Sequence, residues 1–347
     1  MILDSLQQTI LNDHQRGFAL TSIPFTDIAH KNNTDTATIL NNISYLVDKG
    51  YITRVGPVFR PNTIGVSTLA AMKIPTNMLT SVAELVSQYR EINHNYERDH
   101  EFNLWFVATA PDQQHLEAIL QDIEENTGYD VMRLPLLKEF HIDLGFKMPL
   151  QQGSQSTVLE KHQSSPLIIK HSTLPNDLLQ QQLIAEIQLG LPLVERPYAE
   201  IAGKLSIKES EVIRRIDIML TAGVIRRMGV VVRHRELGYK ANAMLVWDIK
   251  DDKINELGKQ LSKESCITLC YQRPRHLPQW PYSLFTMIHG KDEHTVEQCI
   301  ENIVEKYQLS EIPRATLFSK RRFKQRGACY NRIANSHQPQ YKTATYD

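Results

Sequence analysis

Four cysteines in 347 residues, at positions 266, 270, 299 and 329, are too few and too irregularly spaced for a disulfide framework, a CxxC zinc pair or a CxxCH haem attachment. Cys266 and Cys270 are near enough in sequence to share a metal, but buried free thiols in a reducing compartment fit the pattern better. No apolar run approaches the roughly 20 residues that cross a bilayer. The opening MILDSLQQTILND has no basic stretch ahead of an apolar core, so a secretory leader is not expected and a cytoplasmic protein is. Net charge is missing as well, with 39 Lys and Arg against 39 Asp and Glu. That balance speaks against a chain whose main task is to grip a polyanion. What remains is an ordinary globular composition, 41% hydrophobic and 7% aromatic, long enough for roughly two to four compact units.

The charges are unevenly placed. Residues 1–150 carry 11 Lys and Arg against 18 Asp and Glu, and the remainder carries 28 against 21. Two halves that attract one another, or a basic surface for an anionic ligand, produce such a split. Part of the excess is SKRRFKQR, residues 319–326, expected as a solvated run near the C-terminus.

A repeat underlies the two halves. LVDKGYITRVGPVFRPNTIG (46–65) aligns with MLTAGVIRRMGVVVRHRELG (219–238) at a constant offset of 173. Gly50 meets Gly223, Ile52 meets Ile225, Arg54 meets Arg227, Gly56 meets Gly229, Arg60 meets Arg233 and Gly65 meets Gly238. Further on, Tyr96-x-Arg98 matches Tyr271-x-Arg273, and Leu134-Pro135 matches Ile312-Pro313. A Gln/Ser-rich stretch, QQGSQSTVLEKHQSSP (151–166), reads as a flexible linker between the copies.

Each copy opens with helical periodicity. Ile39, Ile43, Leu46 and Val47 share one helix face that ends at Gly50; Val212, Ile216, Met219 and Leu220 do the same before Gly223. Ser206-Ile-Lys-Glu209 has the form of a capping box for the second of these. FTDIAHK and YAEIAGK supply the preceding helix of a helix-turn-helix, and ITRVGPVF and IRRMGVVV are expected as its β-wings. Strand and helix patterns then alternate twice in the order βαββαβ. The expected architecture is α+β: two tandem copies of a winged helix-turn-helix and a ferredoxin-like βαββαβ domain, paired as a pseudo-dimer. The units are 1–56, 57–150, a linker at 151–172, 173–229, 230–332 and a tail at 333–347.

That layout resembles the Lrp/AsnC regulators, which makes DNA binding the first hypothesis. The first recognition helix, TDTATILNNISYLVDKG, opposes it with one Lys, no Arg, and Asp35 and Asp48 on its surface, whereas phosphate contacts draw on several cations. The second copy has Lys208, Arg214 and Arg215, but one equipped half does not make a symmetric reader.

Other segments carry more reactive chemistry than a regulator needs. HNYERDH (94–100), RHRELGY (233–239) and CYQRPRHLPQWPY (270–282) gather arginines, histidines and aromatics. Arg forks carboxylates, His transfers protons near neutral pH, and Tyr and Trp give flat walls with a polar handle. Together they describe a pocket for a large, flat, carboxylate-rich ligand. Singly, the histidines read more readily as surface or hydrogen-bonded structural residues and the arginines as surface ion pairs. The repeat lifts them above that, because Tyr96, Arg98, His100 and Tyr271, Arg273, His276 precede the same strand in both copies.

Long motifs then place the chain beside one family. GPVFRPNTIGVSTLAAMKIP, NHNYERDHEFNLWFV and LPLLKEFHIDLGF resemble the D-type subunit of the sirohaem decarboxylases; RRMGVVVRHRELGYKANAMLVWDI and RPRHLPQWPYSLFTMIHGKD resemble their L-type partner. The similarity covers the chain outside the linker and tail and implies a D–L fusion. It also implies loss of CO2 from two pyrrole-bound acetates of sirohaem, giving 12,18-didecarboxysirohaem on the way to haem d1 or haem. The iron tetrapyrrole is then the substrate, and no further cofactor is called for. On that basis His100 and His276 are the expected general acids, with Tyr96 and Tyr271 assisting and His94 and His234 as runners-up or axial ligands to the substrate iron. Arg60, Arg98, Arg233, Arg235, Arg273 and Arg275 form the pool of carboxylate clamps, with Tyr239, Trp280 and Tyr282 as apolar walls. The sequence leaves open one pocket or two, and a homodimer of the fusion or contact with other tetrapyrrole-synthesis proteins. A tetrapyrrole-responsive DNA regulator and a passive carrier are the alternatives; neither a membrane nor DNA is an expected partner.

Overall fold

The structure, a computed structural model, describes residues 3–142, 145–147, 160–161 and 177–327. Most of the expected linker, Cys329 and the 333–347 tail lie outside them. The first copy runs α1 (Ser5–Asp13), α2 (Pro24–Lys31), α3 (Thr36–Asp48), β1 (Ile52–Phe59), β2 (Val66–Met72), α4 (Leu79–Gln88), β3 (Ile92–Arg98), β4 (Leu104–Ala110), α5 (Gln113–Thr127), β5 (Met132–Pro135) and β6 (Lys138–Ile142). A two-residue pair follows, β7 (Phe146–Lys147) with β8 (Glu160–Lys161). The second copy runs α6 (Leu178–Ile187), α7 (Pro197–Leu205), α8 (Glu209–Thr221), β9 (Ile225–Val232), β10 (Ala241–Trp247), α9 (Ile254–Leu261), β11 (Ile267–Gln272), β12 (Leu284–Gly290), α10 (Glu293–Lys306) and β13 (Arg314–Gln325).

The expected wings are not separate hairpins. β1 and β9 pair with each other, antiparallel, with Gly56 opposite Gly229, so a pseudo-dyad passes through two glycines. Both strands run through the boundaries drawn at 56 and 229, and the helical unit ends after Phe59 and Val232. The glycines are needed because backbone crosses them. Val230 N–H donates to His14 O at 2.8 Å, and a Cβ on Gly229 would stand 2.4 Å from the carbonyl oxygens of His14 and Gln15. Gly229→Ala is expected to cost about 1–3 kcal/mol or more by overpacking. Gly203→Ala, in α7 with open space around it, is expected to be neutral or mildly stabilising. Urea unfolding of the two variants checks the contrast.

Helices from both copies share one core: Phe25, Ile39, Ile43 and Leu46 pack with Tyr198, Val212, Ile216 and Met219. The capping box at Ser206 does not form. Ser206 takes a left-handed conformation that closes α7, and Lys208 precedes α8 without a side-chain cap.

The βαββαβ order is present twice, but each copy lends its last strand to the other. β13 pairs with β10 over Arg314–Phe318 and then with β3 of the first copy over Ser319–Gln325. β5 pairs with β2 of its own copy, whereas β6 pairs with β11 of the second. Nine strands therefore join in the order β5-β2-β4-β3-β13-β10-β12-β11-β6. The two ends, β5 and β6, are separated only by Leu136 and Leu137, so the sheet curls back on itself. Helices α4 and α5 cover one outer face and α9 and α10 the other. Between the inner faces lie Trp105, Leu134, Met244, Tyr271, Trp280, Phe285 and Leu317.

Strand registers refine the repeat. Tyr96 faces Trp105 as Tyr271 faces Phe285, which supports the Tyr and Arg pairs. Leu134 faces Leu69 and Leu317 faces Met244 at matching positions of β2 and β10. Leu134 is thus equivalent to Leu317 and not to Ile312, because β13 starts later after α10 than β5 does after α5. SKRRFKQR is correspondingly a strand and not a solvated run: Arg321 pairs with Glu97 and Lys320 with Asp99 of the first copy. The cysteine expectation also changes. Cys266 and Cys299 form a disulfide, because the α9–β11 turn meets α10, and Cys270 is a buried thiol outside it whose Sγ donates to Gly258 O at 3.5 Å.

Candidate active site

The inner faces change character along the strands. On β12 the inward residues are Phe285, Met287 and then His289; on β10 they are Val246, Met244 and then Asn242; on β13 Leu317 is followed by Ser319. The apolar filling ends there and a polar cleft of about 70 Å³ opens toward solvent. Tyr96 from the first copy lines it together with Arg233, Arg235, Tyr239, Lys240, Asn242, His289, Ser319, Arg322 and Gln325 from the second. The helical unit supplies the roof: Arg233 and Arg235 belong to the turn that leaves β9.

Among the described residues no carboxylate lines this cleft. Arg322 reaches Glu236 at its rim, 3.1 Å away. Behind Tyr96 lies Arg98, buried, with Nη1 donating to Leu317 O at 2.9 Å and no carboxylate partner among the described residues. Burial pulls its guanidinium down to about 10, the direction expected of a cation taken from water without a counter-ion. The hydroxyls of Tyr239 and Ser319 and Oδ1 of Asn242 are buried with no hydrogen-bond partner among the described residues. Buried polar atoms are normally satisfied. Three unsatisfied ones around a cationic cleft describe a site shaped for a polar, anionic ligand.

Two histidines stand at this end. His289 is pushed down to about 4 by burial and then by the charge of Arg98. Its Nδ1 lies 3.0 Å from Thr268 Oγ1, and that hydroxyl donates to Met287 O. Thr268 therefore accepts from Nδ1–H, and Nε2 is the nitrogen that exchanges a proton. His94 is also lowered to about 4 by burial and stacks on Tyr96 with ring centroids 6.3 Å apart. Burial holds the Tyr96 hydroxyl above its usual range, so it remains a neutral donor.

The motif HNYERDH is thus split. His94, Tyr96 and Arg98 alternate onto the inner face of β3, while Asn95 turns outward to donate to Ala83 O. His100 lies past the far end of the strand, in the turn that follows Arg98. There it stacks edge-on against Trp280 at 5.4 Å, and its Nδ1 accepts from Phe102 N–H. His276 joins it by bridging to Trp280, with Nε2 2.7 Å from Arg133 O. Both expected acids therefore lie beside Trp280, at the opposite end of the interior from the cationic cleft.

The remaining expected residues divide similarly. Arg233, Arg235 and Tyr239 line the cleft. Tyr271 is buried between the sheets beneath Arg273, whose Nη1 donates to Leu134 O as Arg98 does to the equivalent Leu317 O. These two arginines stitch each copy to the other. Arg275 is held by Asp248 and Asp251, and Arg60 lies 3.9 Å from Glu139, so neither reaches the cleft. Trp280 and Tyr282 pack in the inter-sheet core. The backbone of His234 starts a single 3-10 turn, and its side chain is outside the described set. Sequence reasoning missed Lys240, Asn242, His289, Ser319, Arg322 and Gln325. Only the cation density of SKRRFKQR hinted at one of them.

Comparison with known proteins agrees with this architecture. A family model described as "AsnC-like ligand binding domain" matches residues 63–141 and 236–324, and one described as "Siroheme decarboxylase NirDL-like HTH domain" matches 180–226. The chain is 37% identical over 335 residues to "Siroheme decarboxylase NirDL subunit" of Paracoccus pantotrophus, covering 96% of this chain and 100% of that one. It is 32% identical to "Siroheme decarboxylase" of Hydrogenobacter thermophilus, over 91% of this chain and 92% of that one. A crystal structure of the siroheme decarboxylase NirDL in complex with an iron-uroporphyrin III analogue superposes with a TM-score of 0.66 at 27% identity, covering 94% of this chain and 93% of that one. With that match running from the helical units through both sheets, the chain belongs to the sirohaem decarboxylase family.

Proposed function

We propose that this protein is a carboxy-lyase that removes CO2 from two pyrrole-bound acetates of sirohaem, giving 12,18-didecarboxysirohaem for haem d1 or haem formation, in the cleft at Tyr96 and His289. Each step converts R–CH2–COO⁻ and a proton into R–CH3 and CO2. The observation that carries the assignment is the cationic cleft with three unsatisfied polar atoms and no lining carboxylate among the described residues. Arg233, Arg235, Lys240 and Arg322 hold the macrocycle's carboxylates, in a partly dry cleft where such contacts are stronger than in water. The electron pair left by departing CO2 enters the macrocycle, and a positioned acid returns a proton to the carbon. His289 supplies it through Nε2, with Tyr96 as neutral donor and His94 behind it. A bound carboxylate offsets both effects that keep His289 neutral when the cleft is empty.

The direct experiment is anaerobic incubation with sirohaem and mass analysis of the tetrapyrrole. Loss of two CO2 supports the function; binding without loss makes the protein a carrier and sinks it. The competing assignment gives the proton to His100 and His276. Under the cleft assignment, His100→Ala and His276→Ala retain near-normal turnover, and His276→Ala costs about 1 kcal/mol of stability through its hydrogen bond to Arg133 O. Turnover assays beside thermal melts separate the two assignments. A tetrapyrrole-responsive regulator is disfavoured because Arg214 and Arg215 on α8 are bound to Glu211, and Arg215 also to Asp177. DNA shifts at low salt only would agree.

A further inference from the structure

We infer that the chain has one tetrapyrrole pocket and that Glu139 fills its counterpart in the other half; the inference rests on the function proposed above. Strand registers define the counterpart without reference to any ligand. Tyr271 stands where Tyr96 does, since the two face Phe285 and Trp105 at matching positions. Across the next strand pair, Tyr96 faces Arg322 whereas Tyr271 faces Glu139. Arg60 matches Arg233: its N–H donates to Val224 O as that of Arg233 donates to Tyr51 O, the same bond seen from the two sides of the dyad. Ser67 matches Asn242, because it pairs with Thr109 at the step where Asn242 pairs with His289.

The two sites have opposite chemistry. In the cleft the positions read Arg233, Asn242, His289, Arg322. In the counterpart they read Arg60, Ser67, Thr109, Glu139. The histidine is gone and a cation has become an anion. Glu139 then closes the site: its carboxylate accepts from Arg226 Nη2 and lies 3.9 Å from Arg60 Nη1. Ser67 is also consumed, its N–H and hydroxyl both directed at Asn62 Oδ1, at 2.9 and 3.1 Å. Thr109 Oγ1 donates to Glu91 O. Where the cleft leaves Tyr239, Asn242 and Ser319 unsatisfied and has no lining carboxylate among the described residues, the counterpart sets its own carboxylate between Arg60 and Arg226, in the place where a ligand's would go. Both acetates must therefore be presented in turn to the same pocket, and the macrocycle that has lost one CO2 must be turned or released before it loses the second.

Stoichiometry decides the matter. Anaerobic titration of the full chain with sirohaem, followed by tryptophan quenching and iron per chain, should break at one macrocycle per chain. Arg322→Glu should lower that to none, with an unchanged far-ultraviolet circular dichroism spectrum as the folding control. Two pockets would break at two and fall to one in the same variant. Glu139→Ala, or Glu139→Gln if the first is poorly folded, should add a second, weaker equivalent by releasing Arg60 and Arg226. A strict one-to-one endpoint in both Glu139 variants would overturn Glu139 as the occupant. A two-to-one wild-type endpoint accompanied by CO2 release overturns only this inference. Neither binding nor CO2 release in the wild type would sink the proposed function and the inference with it.

Discussion

Replacing His289 with Ala is expected to slow CO2 release from sirohaem by about 10²–10⁴, the usual contribution of a positioned acid, while macrocycle binding stays within a few-fold. The split between kcat and binding follows from geometry. The cations proposed to hold carboxylates, Arg233, Arg235, Lys240 and Arg322, are untouched, and the lost group is the proposed acid, whose Nδ1 is committed to Thr268. A pH signature accompanies it. His289 and His94 are both held near 4 in the folded protein against an ordinary value of 6.5. Between those values the unfolded chain binds more protons, so the stability from keeping them neutral is present above about pH 6.5 and is lost as pH falls toward 4. Melting temperatures between pH 7 and 5 should fall less steeply in His289→Ala than in the wild type. Normal turnover in His289→Ala with a slow His94→Ala would move the proton to His94; normal turnover in both would remove the acid from this cleft.

Trp280→Ala should cost about 3–5 kcal/mol of folding stability, the range for deleting a large buried aromatic. The ring is fully buried and touches residues of both copies: Trp105 at 5.2 Å, Phe102 at 5.8 Å and His100 at 5.4 Å from the first, Tyr282 at 5.0 Å and Phe285 at 6.1 Å from the second. Since it lies between the sheets, truncation opens a cavity that two pinned layers cannot collapse. Trp280→Phe should recover a good part of the loss. Denaturant unfolding measures both. A loss below about 1 kcal/mol would mean that the sheets are held together elsewhere, by the Arg98 and Arg273 stitches and the β13 exchange.

Much of this molecule is legible along the chain, because local periodicity and turn chemistry are local forces. The helix faces at Ile39–Leu46 and Val212–Met219, the paired glycines at 56 and 229 and the Tyr-x-Arg pairs all follow from spacing, and each recurs in the second copy. The repeat therefore gives the duplicated α+β architecture before any coordinate is known. Spacing does not say where a strand finds its partner. β13 begins beside β10 and ends beside β3, and β6 leaves its own copy altogether; both choices depend on the curl of a nine-stranded sheet. That exchange turns SKRRFKQR into a strand and delivers Arg322 to Tyr96. It also moves the proposed site. HNYERDH looked like one device, but a strand rises about 3.3 Å per residue, which sends His94 and His100 to opposite ends of the interior. Which end is filled with Trp280 and Phe285, and which is left open beside His289, is settled by side chains that strands from the other half bring across. No window of one strand contains that information, so the residues that make the cleft were decided by tertiary pairing.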